Sequence, residues 1–225
     1  MPLDIHCELY HSPVICGVDE AGKGAVLGPM VIGGVAVPDS AACEGKGYND
    51  SKKLTARRRE ELYEEITSEF PYVVVSISAR EIDAQRTGMG MNEIVARAHA
   101  EAVTALRPES AYLDACDVNA LRYERTVKSF FSVPCMVIAE HHADSTYPVV
   151  SAASIVAKVT RDRAIVELRD EFGEIGSGYP SDPVTIRFLT DYIQMEGSVP
   201  ECARSSWKTI SNLLEARSQA SLLDF

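Results

Sequence analysis

The chain has 225 residues, of which 46% are hydrophobic and 24% charged, so it is long enough for one full domain with a small appendage and too apolar to be disordered. Its 22 Lys and Arg residues against 33 Asp and Glu residues give a net charge of −11, which argues against a protein that coats nucleic acid nonspecifically. A nucleic-acid partner would instead require local basic patches or bridging metal ions.

The sequence lacks the usual signals of membranes and secretion. No apolar run approaches the roughly 18 residues of a membrane helix, and the N-terminus has neither the basic start nor the apolar core of a signal peptide. We therefore expect a cytoplasmic protein with no membrane partner. A monomer is the default expectation, since the sequence leaves the oligomeric state open. The six cysteines include no C-x-x-C pair, so we expect reduced, buried thiols rather than a disulfide framework or a zinc site.

Short apolar runs alternate with helical patterns over the first two thirds of the chain, which is typical of an α/β domain. The runs predict strands at 14–18, 30–37, 72–78, 111–113 and 135–139. The first two runs are separated only by a short segment with turn-forming glycine and proline residues and no helical pattern. We therefore expect antiparallel neighbours among the first three strands. The sequence therefore predicts a mixed sheet.

Helical spacing of apolar residues predicts the helices that flank this sheet. They fall at 55–70, 92–106, 120–131 and 149–172, followed after a loop rich in glycine, proline and serine by 184–195 and 205–217. Thr55 is the expected N-cap of the first helix, and Gly173 the expected C-cap of the longest. We expect a catalytic domain at 1–180, a small C-terminal helical extension at 181–217 and a flexible tail at 218–225.

The densest group of candidate functional residues is GVDEAGKG, where an apolar strand runs into Asp19 and Glu20. Neighbours in a strand point to opposite faces, so both carboxylates can reach one metal cluster only if the chain bends there, which the glycines permit. The segment alone is better explained by a turn that begins at Asp19, with Glu20 solvated. It is a weak match to a dinucleotide fingerprint, because GKGAVLG has one residue too many.

Two more acidic residues, Asp114 in YLDACD and Asp144 in HHAD, also follow predicted strands. Each alone is more typical of a helix cap or turn. Four clustered carboxylates repel one another unless cations neutralise them, and ligation by oxygen alone favours Mg²⁺ or Mn²⁺. Two such ions can activate a water and stabilise the leaving oxygen in phosphodiester hydrolysis. His141 and His142 invite a zinc interpretation. Adjacent histidines seldom chelate one ion, however, and no third nitrogen or sulfur ligand lies near in sequence, so we do not expect zinc.

Local basic residues could meet a nucleic-acid substrate, although they equally fit ordinary solvated helix faces. They are Lys52, Lys53, Arg57, Arg58 and Arg59 at one helix start, and Lys158, Arg161 and Arg163 on the longest helix. Ser151 and Ser154, near the start of the longest helix, could hold a phosphate together with its amide groups.

Five segments together, GVDEAGKG, NDSKKL, YLDACDVN, HHADSTYPVVSAASIVAKVTRDR and GSGYPSDP, resemble the type 2 ribonuclease H family (ribonuclease HII), especially its archaeal members. The resemblance runs from about residue 14 to about residue 208. It implies an RNase H-like mixed sheet flanked by helices. It also implies two-metal hydrolysis of RNA in RNA/DNA hybrids and 5′ of single ribonucleotides in duplex DNA, leaving 3′-hydroxyl and 5′-phosphate ends.

The resemblance also implies roles for individual residues. The catalytic metal ligands would be Asp19, Glu20, Asp114 and Asp144. The substrate contacts that the resemblance implies would be Gly22, Lys23 and Gly24 against the 2′-hydroxyl and Tyr179 on the neighbouring sugar. Charge and position on the helices add Lys52, Ser151, Ser154 and Lys158 to the predicted substrate contacts. The family often has arginine where this chain has Lys23, so the charge is kept but a bidentate phosphate contact is not.

The chain ends in Gln219, Leu222 and Phe225 at the spacing Q-x-x-L-x-x-F, which resembles the peptide that docks replication proteins on the sliding clamp. Gln219 would enter a polar pocket, while Leu222 and Phe225 would fill an apolar one. The same residues are also explained by an amphipathic chain end whose apolar side chains cover the domain.

Two other functions share parts of this pattern. A DNA nuclease or junction resolvase would need the four carboxylates but no reader of the 2′-hydroxyl, and the glycine turn with Tyr179 argues against it. A noncatalytic adaptor bound to the clamp would need only the fold, and the presence of all four carboxylates argues against that.

Overall fold

The computed structural model describes residues 3–6, 15–48 and 54–223. Its sheet has six strands in the order β1-β4-β3-β2-β5-β6. They are β1 (Leu3–His6), β2 (Ile15–Ala21), β3 (Met30–Val37), β4 (Tyr72–Ile77), β5 (Ser110–Asp114) and β6 (Met136–Glu140). Strand β2 pairs antiparallel with β3 and parallel with β5, which pairs parallel with β6, so the predicted mixed sheet is confirmed.

The five predicted strands are all present, with ends shifted by a few residues. Val14, the predicted start of the first, lies outside the described residues. Strand β1 was not predicted, because its four residues, LDIH, are too few to show a periodicity. It pairs antiparallel with β4.

The described helices include every one that the sequence predicted. They are α1 (Ala56–Glu69), α2 (Ala79–Arg86), α3 (Met91–Leu106), α4 (Ala120–Lys128), α5 (Ala143–Thr146), α6 (Pro148–Phe172), α7 (Pro183–Glu196) and α8 (Lys208–Leu223), with a 3-10 turn at Ser40–Cys43. Thr55 caps α1 as predicted, since its side chain accepts from the Arg58 amide.

Four helices differ from the sequence prediction, and one of them is the short α5, which the sequence did not predict. Helix α4 ends at Lys128, before the predicted 131. Helix α2 was missed, although Ser78 and Glu81 form a capping box at its start. Helix α8 starts later than predicted, at Lys208, and continues to Leu223. In the turn before it, the amides of Ser205 and Ser206 donate to the carboxylate of Asp83 on α2 instead of belonging to the helix.

The chain divides into two compact units. The first comprises 1–21, 31–76 and 90–160, and the second 22–30, 77–89 and 161–225. The buried core of the first includes Val35, Leu62, Ile66 and Val150, and that of the second includes Leu27, Ile165, Leu189 and Ile210. The domain boundaries that the sequence predicts at 180 and 217 stay a prediction.

Two further sequence expectations concern membranes and thiols. None of the described helices is long and apolar enough to cross a membrane. The five cysteines in the described ranges are all free thiols, three of them buried, and Cys7 lies outside those ranges.

Helix α6 packs directly on strands β2 and β3 at two glycines. A Cβ atom at Gly17 would lie 2.3 Å from the Val149 carbonyl oxygen, and one at Gly33 would lie 2.4 Å from that of Ala153. Gly33 is paired with Asp19 across the two strands. The helix can therefore reach the strand that carries Asp19 only because no side chain separates them.

We expect Gly33→Ala to destabilise the fold by about 1–3 kcal/mol, because the added methyl group must displace helix backbone rather than a flexible side chain. The free energy of unfolding from urea denaturation measures the change. Gly88→Ala is the matched control, since a Cβ there meets no atom within 4 Å. Equal stability of the two variants would contradict the close packing of α6 on β3.

Candidate active site

Asp19 and Asp114 lie side by side at the ends of two parallel strands. The pairing of Val18 with Leu113 is the last in the register of β2 and β5, and each aspartate follows one of these residues. Directly opposed residues of a parallel pair point to the same face. Asp19 is only 5% exposed. Two carboxylates are thus brought together by sheet pairing alone.

Asp19 is held by donors from two elements. Its Oδ1 accepts from the Glu20 amide at 2.7 Å, and its carboxylate also accepts from the Ser154 hydroxyl on α6. Burial raises the pKa of Asp19 well above its usual value, and the negative charges of Glu20 and Asp114 raise it further. The donors lower that pKa without offsetting these effects. The site therefore concentrates negative charge in a buried place.

Asp144 is 4% exposed and lies in the first turn of the short helix α5. This helix is tied to the end of β5, because the Ala143 amide donates to Asp114 Oδ1 at 2.9 Å. His142, just before the helix, has the left-handed φ of 58°. All four predicted carboxylates belong to the first unit, and the sheet with the α5 connection positions three of them, at 19, 114 and 144.

Glu20 points to the other face of the sheet. Strand β2 pairs regularly with β3 as far as Ala21, so the chain does not bend at Asp19 and Glu20. Their carboxylates are nevertheless close enough for the charge of Glu20 to raise the pKa of Asp19. Asp19 meets α6, whereas Glu20 Oε2 lies 3.3 Å from Nε2 of His99 on α3. His99 is fully buried and was not singled out from the sequence, where a lone histidine on the apolar side of a helix was the only signal.

The donor set fits an oxygen-seeking divalent cation. The mutual repulsion at Asp19 is what a cation would relieve, and Glu20 Oε2 is buried without a well-directed hydrogen bond. In the described ranges, however, no three His, Cys, Asp or Glu side chains already surround a single point. The residues suit the ion by their chemistry and are not preassembled around it.

The remaining predicted contacts of the first unit lie on α6 or outside the described residues. Ser151 is fully buried and its hydroxyl donates to the Tyr48 carbonyl, whereas the Ser154 hydroxyl donates to the Asp19 carboxylate. Lys158 is half-buried, and Lys52 lies outside the described residues. The substrate contacts predicted for these four residues stay predictions.

The glycine turn belongs to the second unit and is held by a buried arginine. Gly22 has a φ of 82°, which favours glycine. Arg204 is fully buried, and its guanidinium donates to the carbonyls of Gly22 at 2.7 Å, Lys23 at 2.9 Å and Gly28 at 3.1 Å. Burial lowers the pKa of Arg204 to about 10, which still leaves it charged at neutral pH. No sequence motif had indicated this residue.

Tyr179 is fixed by a second buried arginine. The Arg161 guanidinium lies 4.8 Å from the centre of the Tyr179 ring, and its Nη2 donates to the Ser177 carbonyl at 2.7 Å. Arg161 is only 2% exposed, so its interpretation as a solvated or substrate-facing cation is wrong. Its guanidinium positions the loop that carries the tyrosine.

Comparison with known proteins identifies the family. The model described as Ribonuclease HII matches residues 16–210. A ribonuclease HII from Methanoregula boonei is 57% identical over 94% of this chain and 100% of its own length. The crystal structure of ribonuclease H2 from Pyrococcus horikoshii OT3 is 39% identical and covers 92% of this chain and 99% of that chain with a TM-score of 0.85.

A second solved structure is the PCNA:RNase HII complex from Archaeoglobus fulgidus, whose matching chain is 45% identical. The match covers 88% of this chain and 96% of that one, with a TM-score of 0.82. The fold and these relatives define a hydrolase of the ribonuclease H class, in which nuclease activity depends on metal ions. Within that class, the chain belongs to the ribonuclease HII family.

We expect Asp19→Asn to abolish cleavage and to leave the metal-free fold intact or more stable, because it removes one repelling charge. Since the folded-state pKa of Asp19 is raised, its contribution to stability is complete only below the unfolded pKa of about 3.9 and is lost as the pH rises through the folded value. The variant should therefore lose less stability with rising pH than the wild type.

Thermal unfolding in EDTA across this pH range measures the difference, and each kcal/mol recovered should raise Tm by roughly 2–4 °C. Glu167→Gln, an exposed carboxylate on α6, is the charge-matched control and should behave as the wild type. Full cleavage activity in Asp19→Asn would remove that residue from the site.

Proposed function

We propose that this protein hydrolyses the RNA strand of RNA/DNA hybrids and cuts duplex DNA on the 5′ side of single embedded ribonucleotides. The products would carry 3′-hydroxyl and 5′-phosphate ends. The observation that carries the proposal is the buried Asp19, whose pKa is raised by burial and by the neighbouring Glu20 and Asp114. Such a charge cluster is unfavourable in a merely structural core and useful where cations bind.

The residues proposed to hold Mg²⁺ or Mn²⁺, with two ions per site, are Asp19, Glu20, Asp114 and Asp144. When bound, such ions activate the attacking water and stabilise the leaving oxygen. The protein's own contribution is to hold the ligands. The Ser154 hydroxyl and the Glu20 amide fix Asp19, and the Ala143 amide fixes Asp114.

Recognition of RNA is proposed for the glycine turn and Tyr179. The Arg204 guanidinium donates hydrogen bonds to the carbonyls of Gly22 and Lys23, and these bonds restrict the conformation of the turn. Gly24 is exposed and a Cβ there would meet no atom within 4 Å, so the backbone is open to a substrate. A rigid exposed backbone can hydrogen-bond a 2′-hydroxyl, which distinguishes RNA from DNA. Tyr179 would stack on the neighbouring sugar.

The test compares three short duplexes, which are an RNA/DNA hybrid, DNA with one embedded ribonucleotide, and all-DNA of the same sequence. We expect cleavage of the first two in Mg²⁺ or Mn²⁺, none of the third, and none in EDTA. Mapping the ends should place the cut 5′ of the ribonucleotide. Asp19→Asn is the control for a contaminating nuclease.

Two other results would replace the proposal. Cleavage of the all-DNA duplex would indicate a DNA nuclease, since no 2′-hydroxyl would then be read. Binding without cleavage in both metals would indicate the noncatalytic adaptor.

We also propose that the C-terminus binds a sliding clamp. The relative from Archaeoglobus fulgidus was solved in complex with PCNA, which is such a clamp. In this chain Gln219 is exposed near the end of α8, as are all residues from 214 to 218. The backbone of Leu222 belongs to the same helix, and Phe225 lies outside the described residues. The exposure of this helix end favours docking over a cover for the domain.

We expect deletion of 219–225 to weaken binding to a sliding clamp by at least about tenfold, because it removes all three proposed anchors. Cleavage of short duplexes should be unchanged. Isothermal titration of the full-length and shortened proteins with the clamp measures the affinity, and Ser211→Ala, an exposed change on the same helix, is the control. Equal affinity of the shortened protein would show that the tail has another role.

A further inference from the structure

A buried histidine lies beneath Glu20 on the side of the sheet opposite Asp19. His99 is completely buried on α3, and its Nε2 lies 3.3 Å from Glu20 Oε2. Its other ring nitrogen, Nδ1, lies 3.1 Å from the hydroxyl of Tyr123 on α4, which is also buried. The two rings meet edge to face, with centroids 5.8 Å apart. Imidazole and phenol thus form a chain that ends at Glu20.

Glu20 Oε2 and His99 Nε2 have no well-directed hydrogen bond with any group in the described part of the chain. Buried polar atoms without partners are unfavourable, and here each atom is the neighbour that could satisfy the other. Core packing alone does not explain a histidine at this place, because leucine would fill the volume without a polar atom to satisfy.

Hydrogen bonding decides which nitrogen of His99 carries the proton. The phenol of Tyr123 can donate to Nδ1 or to the Cys116 thiol, and imidazole nitrogen is the stronger acceptor. Donation to Nδ1 leaves the proton of the neutral ring on Nε2, where it faces Glu20. The opposite tautomer would set a lone pair of Nε2 against a carboxylate oxygen, which is repulsive.

We propose that His99, with its tautomer set by Tyr123, is a positioning residue that anchors one oxygen of Glu20 and leaves the other for the metal. The proposal rests on the metal-binding role proposed above for Glu20. His99 touches neither substrate nor metal in this scheme, and it acts only by restricting the rotation of the Glu20 carboxylate. Mutation of a residue that orients a metal ligand in this way typically lowers metal affinity by about 10–100-fold.

The test measures the affinity of the full-length protein for Mn²⁺ alone by isothermal titration, with thermal unfolding in EDTA beside it. We expect His99→Leu to weaken Mn²⁺ binding by at least about tenfold. His99→Gln should keep the affinity within about threefold of the wild type, because its amide can still donate toward Glu20. Tyr123→Phe should fall between them, since the histidine remains but its tautomer is no longer set.

A control separates positioning from loss of packing. Val103→Ala truncates another buried side chain of α3 and should lower the unfolding temperature without changing Mn²⁺ affinity. Wild-type affinity in His99→Leu, or an equal loss in His99→Gln and His99→Leu, would overturn the proposal.

Glu20→Gln distinguishes failure of this inference from failure of the proposed metal site. If Glu20→Gln binds Mn²⁺ as the wild type does, Glu20 is not a ligand and both fall. If Glu20→Gln weakens binding, His99→Leu should add little in that background, because the two residues would act through one carboxylate. Fully additive losses would show that His99 acts elsewhere and would sink its positioning role.

Discussion

The close approach of helix α6 to strands β2 and β3 is the packing on which the rest of the first unit depends. At Gly17 and Gly33 the helix backbone occupies the space of a side chain, since a Cβ there would lie 2.3–2.4 Å from a carbonyl oxygen. This approach brings Ser154 to hydrogen-bonding distance of Asp19. A wider separation would leave a buried carboxylate with one donor fewer, and burial of a poorly satisfied charge is strongly unfavourable.

The carboxylates accumulate charge where the fold offers them little solvent. Parallel pairing sets Asp114 beside Asp19, and the Ala143 amide holds Asp114 from the α5 connection. Each local donor lowers the energy of one carboxylate, but none removes the repulsion among them. A structure that keeps such a group trades stability for function, which is typical of catalytic sites.

Two buried arginines, Arg161 and Arg204, hold loops of the second unit in place, as helix α6 holds Asp19 in the first. Arg204 donates to the carbonyls of Gly22 and Lys23 in the glycine turn, and Arg161 lies over the ring of Tyr179. Both are shielded from water, so they act through fixed hydrogen bonds and stacking rather than as surface charges. The hydrogen bonds from Arg204 add to the backbone hydrogen bonds of the same segment, such as that from the Ala25 amide to the Gly22 carbonyl.

Features with a local cause could be predicted from the sequence. Strands and helices follow from the periodicity of apolar residues, and the cap of α1 follows from Thr55. The carboxylates at 19, 114 and 144 were recognisable because each follows a predicted strand, and the ends of parallel strands meet at one edge of the sheet. Helix α2 could have been found from its capping box.

Contacts between distant segments were decided only by the tertiary structure. Pairing of β2 with β3 as far as Ala21 keeps Asp19 and Glu20 on opposite faces, although the glycines that follow would have allowed a bend. His99 reaches Glu20, and Arg204 reaches Gly22, across long stretches of chain. The sequence by itself determined which residues carry charge and which local segments are regular. Their partners depended on how helices and strands pack, since burial and hydrogen bonding between remote residues leave no local pattern.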